Sequence, residues 1–161
     1  MRLFDIVDFR DEFYVKTLRR WIVIDALCGN RKFSEGIVLQ KAAFVDFLLC
    51  NPCVMRRFLG NFGKAQQALN LDELLYKDNI EYGSVQEVAD FSKTCILLIS
   101  KKYIGFRKSE GEIMFFPGEL HLLEEADLVK RWRSEINMLL PLMGKSVNVL
   151  HNSILGTSNG S

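Results

Sequence analysis

The chain has 161 residues, enough for one domain with a sizeable core. Hydrophobic residues make up 48% and charged residues 25%, the balance of a globular protein rather than a disordered one. A formal net charge of +1 speaks against nucleic-acid binding through a general basic surface, while leaving room for a local patch or for DNA contact through a partner. No apolar run reaches the roughly 18 residues a membrane span needs. The opening stretch, "MRLFDIVDFRDEF", is acidic and lacks the apolar core and cleavage site of a signal peptide, so a cytoplasmic protein without a membrane partner is expected.

From Asp11 to Cys28 the spacing predicts a helix, with Tyr14, Val15, Leu18, Trp21 and Ile22 on one face and Gly29 as its stop. A second helix is expected from Ser34, a good N-cap, through "EGIVLQKAAFVDFLLC". Asn51-Pro52 ends it, because the residue before proline avoids helical geometry. Pro52 then opens a short third helix, "CVMRRFL", that stops near Gly60. Between Asn61 and Gly83, "KAQQALNLDELLY" reads as helix and "KDNIEYG" as a connection.

Ser84 and Glu87 have the spacing of a capping box, and a helix is expected from there to Lys101 or Lys102. Val88, Phe91, Cys95, Leu98 and Ile99 share its inner face. Two strands follow, Tyr103–Lys108 and Glu112–Phe116, turning at "SEG", where Gly111 supplies a positive φ. Glu119 to Leu140 is expected to be a long helix carrying Leu122, Leu123, Ala126, Val129, Trp132, Ile136 and Leu139, stopped or kinked by Pro141. "KSVNVLHNSIL" is a last short helix, and residues 156–161 read as a loose tail on a single domain of residues 1–155. Helices, then a helix feeding a hairpin, then more helix: the pattern predicts a mainly α protein with a small β-hairpin, a winged helix-turn-helix with helical extensions.

A winged helix often reads DNA with the helix before its wing. Here the outward face of that helix is expected to carry Ala89, Asp90, Lys93, Ile96, Leu97, Ser100 and Lys101. It holds two lysines but no Arg, Asn or Gln to read base edges, and Asp90 would repel phosphate. In the hairpin, Ile104, Phe106, Ile113 and Phe115 can cover the core. Tyr103, Arg107, Met114 and Phe116 then lie on the other side, covered either by the helix after Pro117 or by a partner protein. Leu97, Tyr103, Arg107, Met114 and Phe116 are therefore the candidate partner interface. Lys93, Lys101 and Lys108 are the candidate phosphate contacts, although Lys108, beside Glu110 and Glu112, equally suits a solvated turn.

Little points to catalysis. The eleven glycines form no phosphate-binding loop, and His121 and His151 stand alone. Cys50 and Cys53 have C-x-x-C spacing but no second ligand pair and no preceding strand, so they and Cys28 and Cys95 read as structural thiols. No metal or cofactor is expected. Asp25 and Asp46 sit in the apolar runs "WIVIDAL" and "AFVDFLL", where a buried carboxylate must be paired, with Arg19, Arg20 or Lys41 as candidate partners.

The stretch "RKFSEGIVLQKAAFVDFLLCNP" resembles the helix followed by an L/V-D-F-L-L-x-x-P pattern in the small middle component of ABC-three-component systems, which accompany an SMC/Rad50-like ATPase in Lamassu-type antiphage defence. "ILLISKKYIGFRKSEGEIMFFPGE" resembles the winged portion of the same proteins. The matching positions are Val45, Asp46, Phe47, Leu48, Leu49 and Pro52, and Tyr103, Ile104 and Phe106, and the resemblance implies scaffold roles for them. It implies a non-enzymatic accessory subunit that binds the ATPase and couples it to an effector subunit, often a nuclease, with DNA engaged indirectly through the complex. The alternative expectation is a winged-helix transcriptional regulator.

Overall fold

The structure is a computed structural model describing residues 12–63, 85–121 and 126–158. It is mainly helical, with one small three-stranded antiparallel sheet. Helix α1, Phe13–Cys28, is the centre of the fold. The Glu12 carboxylate accepts the Val15 N–H (3.0 Å) and caps one of the amides left open at the helix start. Most of the second half of α1 is buried, from Arg19 through Ile24 and again at Leu27 and Cys28. Tyr14, expected on the inner face, is exposed instead. The helix does not end on a left-handed glycine: Gly29 keeps helical angles, and extended Asn30 turns the chain, its side chain accepting from the Lys32 N–H (2.9 Å).

The expected helix start at Ser34 is corrected. Residues 31–33 form a single 3₁₀ turn, and Ile37–Val38 is a short strand, β1. Gly36, at φ +135°, provides the bend between them, with the Phe115 carbonyl only 3.1 Å from where a Cβ would sit. Helix α2, Leu39–Cys50, begins after this strand and is apolar almost all round, which suits an element packed against both α1 and the sheet. Asn51 breaks it as expected, its amide donating to the Phe47 carbonyl (2.8 Å), and Pro52 opens α3, Pro52–Asn61.

Helix α4 spans Val85–Ser100. Ser84 and nearly all of the region expected to be helix and connection, residues 64–83, lie outside the described residues, as do Leu122 and Leu123. The hairpin follows as β2, Ile104–Ser109, and β3, Glu112–Pro117, each within a residue of expectation. Sheet order is β1-β3-β2, with Ile37 opposite Phe115 and Val38 opposite Met114. Gly118 through His121 are not helical; helix α5 runs only Asp127–Leu139, with extended Ala126 as its N-cap. Val129, Trp132, Ile136 and Leu139 form its buried stripe against α1. A 3₁₀ turn containing Pro141 follows, then α6, Val147–Ser158, which reaches into the expected tail. Among the described residues, no helix is long and apolar enough to cross a membrane.

Candidate functional site

The hairpin turns through Glu110 (φ +52°) and Gly111 (φ +82°), a two-residue turn whose twist matches the strands. Such a turn closes on a hydrogen-bonded pair, Ser109 and Glu112, so the ladder alternates from there. Arg107–Met114 and Gly105–Phe116 are then hydrogen-bonded pairs. Lys108–Ile113, Phe106–Phe115 and Ile104–Pro117 are the pairs without mutual bonds, a suitable place for a proline that has no N–H. The next step fits the alternation, since the Gly118 N–H donates to the Tyr103 carbonyl (2.9 Å).

Paired residues share a face, so Ile104, Phe106, Lys108, Ile113 and Phe115 lie on one side. The base of this side is core: Ile104 and Phe115 are buried. Its tip is not: Phe106 is 57% exposed and Ile113 42%. The expectation that all four apolar residues cover the core is thus corrected for Phe106 and Ile113. The strands are longer than the core beneath them. One signal was available in the sequence, because Lys108 falls on the same side, and a lysine there marks where that side has left the core.

The opposite side is partly closed by its own residues. The Phe116 ring lies against Gly105, where any Cβ would overlap it. Met114 and Phe116 are half-buried, and Arg107, exposed, reaches Glu35 in a loose ion pair at 3.4 Å. Tyr103 is half-buried, its ring tilted 60° against that of buried Trp21 with centroids 4.7 Å apart. Of the five residues proposed from sequence as an interface, only Arg107 is exposed; the other four are half-buried.

On α4, Phe91, Cys95 and Leu98 are buried as expected. The exposed stripe is Ala89, Lys93, Ile96 and Ser100, with Lys101 just beyond the helix. Leu97 is half-buried, and its neighbour Ile96, 65% exposed, is the outward apolar group. Lys93, Lys101 and Lys108 are all exposed, but Lys108 alone is in register with the apolar hairpin tip.

Asp90 does not stand out toward solvent as expected. Its carboxylate receives Arg20 Nη2 (2.9 Å) and Lys16 Nζ (3.3 Å). Partial burial alone would raise its pKa, but the hydrogen bonds and charges of Arg20 and Lys16 outweigh that and hold it below the ordinary carboxylate value. Arg20 is the hub of a buried cluster: Nε donates to Asp46 Oδ2 (3.1 Å), and Nη1 to Thr94 Oγ1 (2.6 Å) and the Asp90 carbonyl (3.0 Å). Arg19 Nε donates to Asp46 Oδ1 (2.5 Å). Asp46 therefore has both candidate arginines, while Lys41 lies over the Phe33 ring instead (5.7 Å).

Asp25 pairs with Arg133 on α5 (2.8 Å). The pair sits in an open cleft of about 560 Å³, with His121, Asn30, Asn137 and Pro117 on its walls. The carboxylates singled out from sequence are thus held in ion pairs with arginine, an arrangement that builds structure rather than an acid–base dyad. Cys50 is half-buried and Cys53 exposed at the start of α3. Burial pushes the Cys28 and Cys95 thiols up to about 12, keeping them protonated and unreactive at neutral pH. Among the described residues, no three His, Cys, Asp or Glu side chains converge as a metal site. No family model, no curated protein and no solved structure matches the chain.

Proposed function

We propose that this chain is a non-enzymatic accessory subunit that works by binding other proteins through its hairpin and the exposed stripe of α4. The observation that carries the reading is the hairpin tip, where Phe106 and Ile113 extend an apolar face beyond the core that buries its base. Ile96 adds a second exposed apolar group on the helix feeding that hairpin. Among the described elements, a helix, a short strand, three further helices and then the hairpin, with β3 between β1 and β2, support the finer description of the fold as a winged helix with an added helix. The resemblance of Arg31–Pro52 and Cys95–Glu119 suggests the partner class: an SMC/Rad50-like ATPase of a bacterial antiphage complex, itself joined to an effector and to DNA in the cytoplasm.

A transcriptional regulator is the second reading, favoured only by the helix-to-wing order. The exposed stripe of α4 offers one lysine, one isoleucine and two small residues to a groove, and little of that reads a base edge.

The test is co-purification with a co-expressed SMC/Rad50-like ATPase of the proposed partner class. Ile96→Asp with Phe106→Asp is expected to weaken it at least tenfold, a loss of about 1.4 kcal/mol, while the free variant melts close to the parent. Undiminished co-purification of the folded double variant defeats the proposal. A salt-dependent DNA shift by the purified chain, with a slope of several phosphates, favours the regulator.

A further inference from the structure

The outer edge of the sheet is β2, since β3 lies between it and β1. In the alternation derived above, Ile104, Phe106 and Lys108 make no ladder bonds with β3, so their N–H and C=O groups point to the free edge. Among the described residues, no backbone hydrogen bond from outside the hairpin reaches β2. The edge is six residues long and paired with β3 along its whole length. Exposed Phe106 stands beside it, and so do the cations Arg107 and Lys108. Lys101 and Lys102 lead into it, also exposed.

We infer that β2 accepts a fourth strand: an extended segment of a partner protein with acidic side chains next to an apolar one that packs on Phe106 and Ile113. The proposal rests on the reading of this chain as a protein-binding subunit, and specifies how it binds. Main-chain bonds to Phe106 and Lys108 supply the pairing, the apolar tip selects one side chain, and the cations select acids. Charge also argues against a second copy of this chain as the occupant. Antiparallel self-pairing of "IGFRKS" would set two copies of Arg107 and Lys108 along one seam, and like charges opposite one another destabilise a sheet.

The experiment uses the whole chain with eight-residue peptides alternating Asp or Glu with Val or Phe, with Lys-for-acid counterparts, and with a short DNA duplex. Lys108→Ala removes the charge. Lys108→Pro removes the charge and the edge N–H, at a position where the ladder to β3 needs no donor. The acidic peptides are expected to bind, Lys108→Ala to bind them a few-fold more weakly, and Lys108→Pro at least tenfold more weakly than Lys108→Ala. If the proline variant fails to fold, hydrogen exchange on the parent decides: peptide should slow the Phe106 and Lys108 amides, leaving those of Arg107 and Ser109, already bonded to β3, little changed. Equal loss in the two variants, unchanged exchange at Phe106 and Lys108, equal binding of the basic peptides, or binding of DNA alone each overturns strand addition. So does the absence of peptide binding. The ATPase co-purification above is scored separately, so a partner bound normally by Lys108→Pro defeats this inference and leaves the broader reading standing.

Discussion

Where α1, α2 and α4 cross, Arg19, Arg20 and Asp46 are buried; at the hairpin tip, Phe106 and Ile113 are exposed. Polarity is reversed in both places, for different reasons. Three charges inside are tolerable because they satisfy one another: Asp46 takes a guanidinium on each oxygen, and Arg20 spends its remaining donors on Asp90 and Thr94. Such a cluster adds little net stability over apolar residues of equal size, yet it ties the three helices together at their crossing. The exposed tip has no such internal resolution. Nothing within the hairpin needs Phe106 outside, and a shorter pair of strands would have buried Ile104 and Phe115 equally well. One inversion belongs to the folding of the chain; the other, on the function proposed above, belongs to what the chain meets.

This contrast can be broken by mutation. Removing one side of the ion cluster should have the largest effect. Asp46→Ala removes the carboxylate that the buried Arg19 and Arg20 guanidinium groups share, at a cost of about 3–5 kcal/mol, read as the loss in urea-denaturation free energy. A cost under about 1 kcal/mol would mean that water reaches the cluster and that it does not specify the helix crossing.

Alkali should act next, and on the same region. Desolvation raises Cys95, with Arg20 opposing and Asp46 adding; desolvation, then Asp25, raises Cys28. Both thiols lie at about 12 in the folded chain, above an unfolded value of about 8.5. Stability is therefore fully present below that unfolded value and is lost as pH rises from it toward 12. Thermal melts should be flat from pH 7 to 8 and fall above about pH 9. Thiol labelling at neutral pH should modify Cys53 first and leave Cys28 and Cys95 until the chain unfolds. Fast labelling of Cys95 would show the cluster to be open.

The smallest effect is expected at the tip. Phe106→Ser or Ile113→Ser should change stability by no more than about 0.5 kcal/mol, despite removing a large apolar side chain. A loss of several kcal/mol would place those residues in the core and remove the asymmetry between the two regions.

Much of this contrast was legible in the sequence, but unevenly. The hairpin announced itself through Gly111 and alternating apolar residues, and Asp46 through its place in an apolar run. The sidedness of the tip was not visible, because alternation says which residues share a face but not how far the core extends under it. Strand β1 escaped because two residues carry no period, and Ser34 offered a plausible cap for a helix that starts five residues later. The helical composition of "GELHLLEEA" points to an earlier start for α5, whereas Gly118 through His121 are not helical. Leu97 and Ile96 were separated only by a small rotation of α4, too fine for a helical-wheel estimate. Arg20 stands among the candidate partners of Asp46, but its tie to α4 leaves no local signal, since Asp90 and Thr94 lie 70 and 74 residues away.

The central position of α1 has a consequence for synthesis. The helix is made early, yet it packs against β3 and α5, which end at Pro117 and Leu139. At about 5–20 residues per second, on the order of 5–20 s separate the emergence of α1 from that of its last neighbour. Until then the face of α1 that carries Trp21, Ile22, Val23 and Ile24 lacks part of its final cover, and Arg19 and Arg20 wait for Asp46 and then Asp90. The nascent chain is thus a natural client for a ribosome-associated chaperone, and truncation before Leu139 should yield an aggregating fragment rather than a smaller folded one.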